Sequence, residues 1–360
     1  MRGDLPVSFE ARVLRAPLNQ PFRIATGQHT SLENALFTIE LGDGTKGYGE
    51  AGVAPHITGE TLEETLANLT RIGRALVGKD LSQYPQISSW LHAELPRNKA
   101  ALAAVEMAVF DALTRRMRVP LWKLFGTTPR TLTTDITIVL SDLPETEESA
   151  RRFYRQGLRK FKIKIGKDFD VDLARVAAVR RVCRNCELIL DANQGYAPRE
   201  MLKFLRELRK MKIVPALLEQ PVKKADWEGL KEVAAKSPVP VCADESCSSI
   251  ADCLRIIKER AVPAINIKVM KTGMVHSREI ACLCRANNIR LMIGAMMESS
   301  LATTASAHLA AGMGCFDFID LDTSFFIKPG YDRNPWLSRK GVYNLSRVKA
   351  GIGIIPVDKR

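Results

Sequence analysis

Lys160-Phe161-Lys162-Ile163-Lys164-Ile165-Gly166, KFKIKIG, decides how this chain folds. Successive side chains of a strand leave on opposite faces, so Ile163 and Ile165 point to one side and Lys162 and Lys164 to the other. If the isoleucines enter a hydrophobic layer, two ammonium groups stand about 7 Å apart on the far face, each raising the cost of charging the other. The surrounding sequence has to supply what that lysine face meets.

Working outward, the segment is one of a series. TDITIVL precedes it, and ELILDAN, ALLEQPV, VPVCADES, AINIKVM, RLMIGAM and FDFIDLD follow at intervals of roughly 25 residues. Amphipathic stretches such as DLARVAAVRRVC, MLKFLRELRKM and CLCRANN lie between them. Eight apolar strands alternating with helices predict a parallel sheet covered on both faces and closed into a (β/α)8 barrel of the TIM type, modified at its ends. The first part of the chain has another grammar. ALFTIELGDGTKGYGEA reads as a hairpin turning at Gly42-Asp43-Gly44, and two helical patterns follow it, TLEETLANLTRIGRALVG and AALAAVEMAVFDALTRRM, the latter stopped by Val-Pro. The expected division is an α+β capping domain over residues 1–127, a catalytic barrel over 128–325, and a segment 326–360 that returns to the capping domain.

The 360-residue chain, 46% hydrophobic, has the composition of a globular protein with a large core. It has no run of about 18 apolar residues and opens without a signal-peptide pattern, so the expectation is a cytoplasmic protein with no membrane partner. Eight cysteines suit that compartment, since Cys183-x-x-Cys186 and Cys282-x-Cys284 lack a second ligand pair at zinc spacing. The net charge of +13 raises a nucleic-acid partner, but the basic residues are scattered among acidic segments without a binding motif, which favours a solvated basic face and no nucleic acid.

Nearly every barrel strand ends in charge: Lys162 and Lys164 on the second, then Asp191, Glu219, Asp244 and Lys268, with Glu298 after the seventh and Asp320 and Asp322 on the eighth. The C-terminal ends of such strands converge on one mouth. Asp191, Glu219 and Asp244 come from consecutive strands and would repel one another without a partner. Three oxygen ligands with no histidine or cysteine among them suit Mg2+ or Mn2+ better than zinc. Lys164 and Lys268 are four strands apart, hence across the mouth from each other. A substrate carboxylate held at the cation would place its α-carbon between the two amines, with Lys162 steadying the enolate formed when the α-proton leaves. Neighbouring positive charge is expected to lower the lysine pKa toward that of a useful base. Ion pairing of these lysines to the same acids is the alternative, as helix capping is for the acids.

KIK, DANQGY, LLEQPV, ADES, INIKVMKTG and IDLD, with PFRIATG, GYGEA and GIGI outside the barrel, resemble the muconate-lactonizing subgroup of the enolase superfamily, and within it the dipeptide epimerases. The resemblance spans nearly the whole chain. It implies Asp191, Glu219 and Asp244 as Mg2+ ligands, Lys164 and Lys268 as the acid/base pair, and Lys162 on the substrate carboxylate. Asp320 and Asp322 match the Asp-x-Asp that holds the substrate's α-ammonium, and their i, i+2 spacing puts both on one strand face. Thr137, Met296 and Met297 match substrate contacts, and Arg23 lies in PFRIATGQHT, a loop that reads the substrate side chain. The activity implied is Mg2+-dependent inversion of the α-carbon of the second residue of a dipeptide, Ala-Glu or Ala-hydrophobic in type, by two-lysine 1,1-proton transfer through an enediolate, in a homo-oligomer. N-acylamino acid racemisation, o-succinylbenzoate synthesis and cycloisomerisation on the same scaffold are the alternatives. A Schiff-base lyase and a polyanion-binding protein are more distant ones.

Overall fold

The computed structural model describes residues 5–126 and 131–357, so the expected boundary at 127–128 lies outside the described residues. Three antiparallel strands open the chain: β1 (Pro6–Ile24), β2 (Gly27–Leu41) and β3 (Lys46–Ala51). The Gly42-Asp43-Gly44 turn joins β2 to β3, with Gly44 at φ 82°. The PFRIATG loop, by contrast, is the tip of a ribbon: Phe22, Arg23 and Ile24 pair with His29, Gln28 and Gly27, leaving only Ala25 and Thr26 as its turn. Alternation then sets Arg23 opposite to buried Ile24.

The helix Lys99–Arg116 is buried on every side, from Ala100 through Thr114. It lies on β3 closely enough that a Cβ on Gly49 would stand 1.9 Å from the Ala104 carbonyl oxygen, so glycine at that position is what admits the helix. Its other side meets the barrel helix Val269–Ala286. That helix is broken at Gly273 (φ 74°, ψ 175°), where a Cβ would lie 2.4 Å from Leu102 and 2.5 Å from Glu106.

After the short β4 (Leu132–Thr133), eight parallel strands follow in chain order: β5 (Ile136–Ile138), β6 (Lys160–Lys164), β7 (Glu187–Asp191), β8 (Leu217–Glu219), β9 (Val241–Ala243), β10 (Ala264–Lys268), β11 (Arg290–Gly294) and β12 (Phe318–Asp320). Each of the first seven leads into an α-helix, while β12 leads into a 3-10 turn, Thr323–Phe325. The seam between β12 and β5 is closed by single bonds. The Asp135 amide donates to the Ile319 carbonyl (2.9 Å), the Leu321 amide to Thr134 Oγ1 (2.8 Å) and the Thr137 amide to Asp322 Oδ2 (2.6 Å). The C-terminal segment pairs β13 (Val342–Tyr343) with β4. It also reaches the helix Lys99–Arg116, where Arg115 donates to the Ile354 carbonyl and Asp111 accepts from the Ile352 amide.

Inside the barrel, Ile189, Leu217, Cys242, Ala264, Met292 and Phe318 form a hydrophobic floor. Two residues further along the same strand faces stand Asp191, Glu219, Asp244, Asn266, Gly294 and Asp320, so the period of two carries each strand from floor to mouth. Among the described residues no helix is long and apolar enough to cross a membrane.

Candidate active site

Lys162 begins at floor level, in register with Thr137 and Ile189, and its stem carries the ammonium up into the acids. Its Nζ lies 3.0 Å from Asp191, 2.7 Å from Glu219 and 2.7 Å from Asp320. Lys164, one level up and in register with Asp191, reaches Asp191 Oδ2 at 2.6 Å. Across the barrel, Lys268 shares a level with Gly294 and, through β11, with Asp320; its Nζ is 2.8 Å from Asp244 Oδ2. Every one of these side chains is buried. The ion pairs weighed as an alternative are therefore formed, and they are formed by the same groups that surround the mouth.

This company overturns the expected direction of the pKa for Lys162 and Lys268. Burial alone would lower Lys268 and Lys162, but Asp244 beside the first, and Asp191, Asp320 and Glu219 around the second, outweigh it and raise both. The acids respond in kind. Burial pushes Asp191 and Asp244 upward, yet Lys162 and Lys164 hold Asp191, and Lys268 and Lys271 hold Asp244, well below the usual carboxylate range. Glu219, pressed by burial and by Asp191, rises to about 8.

Asp191, Glu219 and Asp244 lie at or just beyond the ends of β7, β8 and β9, all buried and all offering oxygen. Glu219 Oε2 is near Lys162 but out of line for a hydrogen bond, and accepts none. Four lysines (Lys162, Lys164, Lys268, Lys271) meet seven buried acids (Asp135, Asp191, Glu219, Asp244, Glu298, Asp320, Asp322), so further positive charge is in demand. The donor set thus fits a hard divalent cation. Among the described residues, however, the acids that gather within 4.8 Å of one another are Asp135, Asp320 and Asp322. Asp191 is paired with Lys162 and Lys164, and Asp244 with Lys268 and Lys271.

Thr137 is buried on β5 with its amide bonded to Asp322. Met296 lines a cavity of about 500 Å³ between barrel and cap, together with Ile57, Trp227, Met270 and Lys271. Met297 is held to the capping domain, its carbonyl accepting from Asn34 at 2.9 Å. Arg23 lies 3.9 Å from Glu145 and lines a cavity of about 390 Å³ beside Lys167 and Asp168.

Several members of the site escaped the sequence reading. Lys271 donates to Asp244 Oδ1 (2.7 Å) and to the carbonyls of Asp244 (2.6 Å) and Asn266 (3.0 Å). Asn266 donates to Glu219 Oε1 at 2.8 Å. Arg175, buried behind the rim, donates to the Lys164 carbonyl at 2.6 Å and the Val139 carbonyl at 2.7 Å, clamping the ends of the first two barrel strands together. Glu298, which the sequence already placed after the seventh strand, is raised to about 8 by burial; it takes the Met296 amide on one oxygen and leaves the other without a partner. Lys271 stands in the INIKVMKTG stretch and Asn266 alternates with Lys268, so a signal existed for both. Arg175 offered none beyond a charge within an amphipathic helix.

Residues 8–126 match the family described as "Mandelate racemase / muconate lactonizing enzyme, N-terminal domain", and residues 145–359 match "Enolase C-terminal domain-like". A hydrophobic dipeptide epimerase of Citrifermentans bemidjiense is 48% identical over 354 residues, covering 96% of each chain. Two solved structures superpose over nearly all of this chain. The dipeptide epimerase of Enterococcus faecalis complexed with Mg and L-Leu-L-Tyr has a TM-score of 0.91 at 33% identity, covering 97% of this chain and 99% of the other. The substrate-liganded L-Ala-D/L-Glu epimerase of Bacillus subtilis has a TM-score of 0.93 at 32% identity, covering 98% and 99%.

Proposed function

The chain belongs to the mandelate racemase/muconate lactonizing family of the enolase superfamily and is an isomerase of its dipeptide epimerase group; from that premise we propose that it inverts the α-carbon of the second residue of a dipeptide by 1,1-proton transfer between Lys164 and Lys268. The observation that carries this reading is the pair of lysines four strands apart around the barrel, with the Asp320 and Asp322 carboxyls at the same mouth. One lysine, as the amine, takes the α-proton from one face while the other, as ammonium, delivers a proton to the opposite face, after which their protonation states are exchanged. Lys162 meets the negative charge that develops on the substrate carboxylate oxygens as the enediolate forms. Asp320 and Asp322 hold the ammonium of the first residue, which N-acyl and dicarboxylate substrates lack. Asp191, Glu219 and Asp244 would hold Mg2+ or Mn2+, which when bound supplies Lewis-acid charge at the substrate carboxylate and relieves these acids' repulsion.

For the second residue we favour an apolar side chain. Met296 and Met297 present no charge, Arg23 is engaged by Glu145, and the 48%-identical relative is named for hydrophobic dipeptides. Thr137, Met296 and Met297 are the proposed substrate contacts. With this go a capping unit to residue 127, a barrel to 325, a returning segment to 360, a cytoplasmic location and a homo-oligomeric assembly. The test is incubation with a dipeptide library in deuterated water. Divalent-cation-dependent α-deuterium incorporation into Ala-Xaa dipeptides, and none into N-succinyl amino acids, is expected; the reverse pattern would sink the proposal.

A further inference from the structure

Asp135 is a member of the mouth to which the proton transfer gives no task. It lies two residues before Thr137, is fully buried, and neither of its carboxyl oxygens has a hydrogen-bond partner. Leaving such a group unpaired is costly, and here two more acids stand beside it. One oxygen from each of Asp135, Asp320 and Asp322 lies within 4.8 Å of the others. Three atoms so spaced share a point no more than about 2.8 Å from each of them (4.8 Å divided by the square root of three), which is the N···O distance of a hydrogen bond. Asp320 already gives Oδ2 to Lys162, and Asp322 gives Oδ2 to the Thr137 amide, so each keeps its second oxygen free of those bonds. A primary ammonium brings three N–H donors and no acceptor. Two acids leave one of its donors unmatched, and Asp135 supplies the missing acceptor.

We propose that Asp135 is the third acceptor for the dipeptide's α-ammonium, making the pocket selective for a primary amine terminus. The inference rests on the dipeptide epimerase reading. An N-methylated or prolyl terminus brings only two N–H donors and sets a carbon against Asp135, so such dipeptides are poor substrates. One hydrogen bond to a charged group sets the scale of discrimination at about 10- to 100-fold in kcat/KM.

The experiment compares kcat/KM, read as α-deuterium exchange with Mg2+ present, for an Ala-Xaa dipeptide, its N-methyl-Ala counterpart and Pro-Xaa. It uses the wild type, Asp135→Leu, which keeps the branched outline and removes both acceptors, and Asp135→Asn, which keeps one. The wild type is expected to favour Ala-Xaa about 10- to 100-fold. Asp135→Leu is expected to lose that preference by falling on Ala-Xaa alone, and Asp135→Asn to recover part of it. Equal use of the primary and N-methyl substrates by the wild type overturns the inference even if no variant folds. So does a preference that survives in Asp135→Leu, or a second bound equivalent of Mg2+ that this variant lacks. Exchange into dipeptides without amine preference sinks the role of Asp135 alone, whereas no exchange into any dipeptide sinks it together with the reading beneath it.

Discussion

Lys164 and Lys268 present the same amine in different company, the first against an Asp191 shared with Lys162, the second against an Asp244 shared with Lys271. Replacing either with Ala removes one of two opposed proton carriers, so complete epimerisation should fall about 10²- to 10⁴-fold. Each variant should still exchange the α-proton of one diastereomer, and the two variants should favour opposite ones. NMR of L,L- and L,D-dipeptides in deuterated water checks this, and loss of the same diastereomer in both would place the two lysines on one face. At this scale the charged strand ends were legible because alternation and barrel convergence need no more than residue type. The direction of the lysine pKa values was not legible, because it depends on which acid lies within 3 Å of which amine. Asp135 was visible in TDITIVL and passed over, since it sits on the N-terminal side of its strand, where side chains usually belong to the packed floor.

The elements are joined at two places that can be tested separately. Gly273 breaks its helix with a positive φ where the helix Lys99–Arg116 packs against it, so Gly273→Ala adds backbone strain and a contact with Leu102 and Glu106. A loss of about 2 kcal/mol or more is expected in urea unfolding; an unchanged midpoint would show that the seam yields freely. His308, on the helix Ser300–Met313, accepts the Trp122 amide on Nδ1 and donates from Nε2 to the Ile352 carbonyl, tying that helix to the residues before the barrel and to the C-terminal segment. Burial lowers it from 6.5 to about 4. Its folded pKa is therefore depressed, so the neutral ring's contribution is complete above pH 6.5 and is lost as pH falls toward 4, a change of about 3 kcal/mol. His308→Gln should flatten that part of the stability curve relative to the wild type; parallel curves would remove His308 as the cause. The eight strands could be read in advance because each runs apolar and most stop at a charge. The β1–β2 ribbon could not be read to its tip, because Pro17 and Pro21 interrupt the alternation where the register shifts between Pro17 and Phe22.

For the whole molecule, filling the proposed divalent-cation site would couple cation binding to folding. Adding Mg2+ at about 100 times its dissociation constant should raise unfolding free energy by about 2.7 kcal/mol, and chelation should abolish exchange while the circular dichroism of the fold persists. A thermal midpoint indifferent to Mg2+, in a protein that still turns over substrate, would contradict this. The sheet carries a second coupling of the same kind. Its first and last strands are joined at the mouth by the Thr137 amide and the Asp322 carboxylate rather than by a continued ladder. That carboxylate is also a wall of the proposed amine pocket, so an occupant that pins it should shield one particular backbone hydrogen from solvent. The staple of the cylinder would then serve as a gauge of whether the enzyme is loaded, legible without watching any chemistry at all.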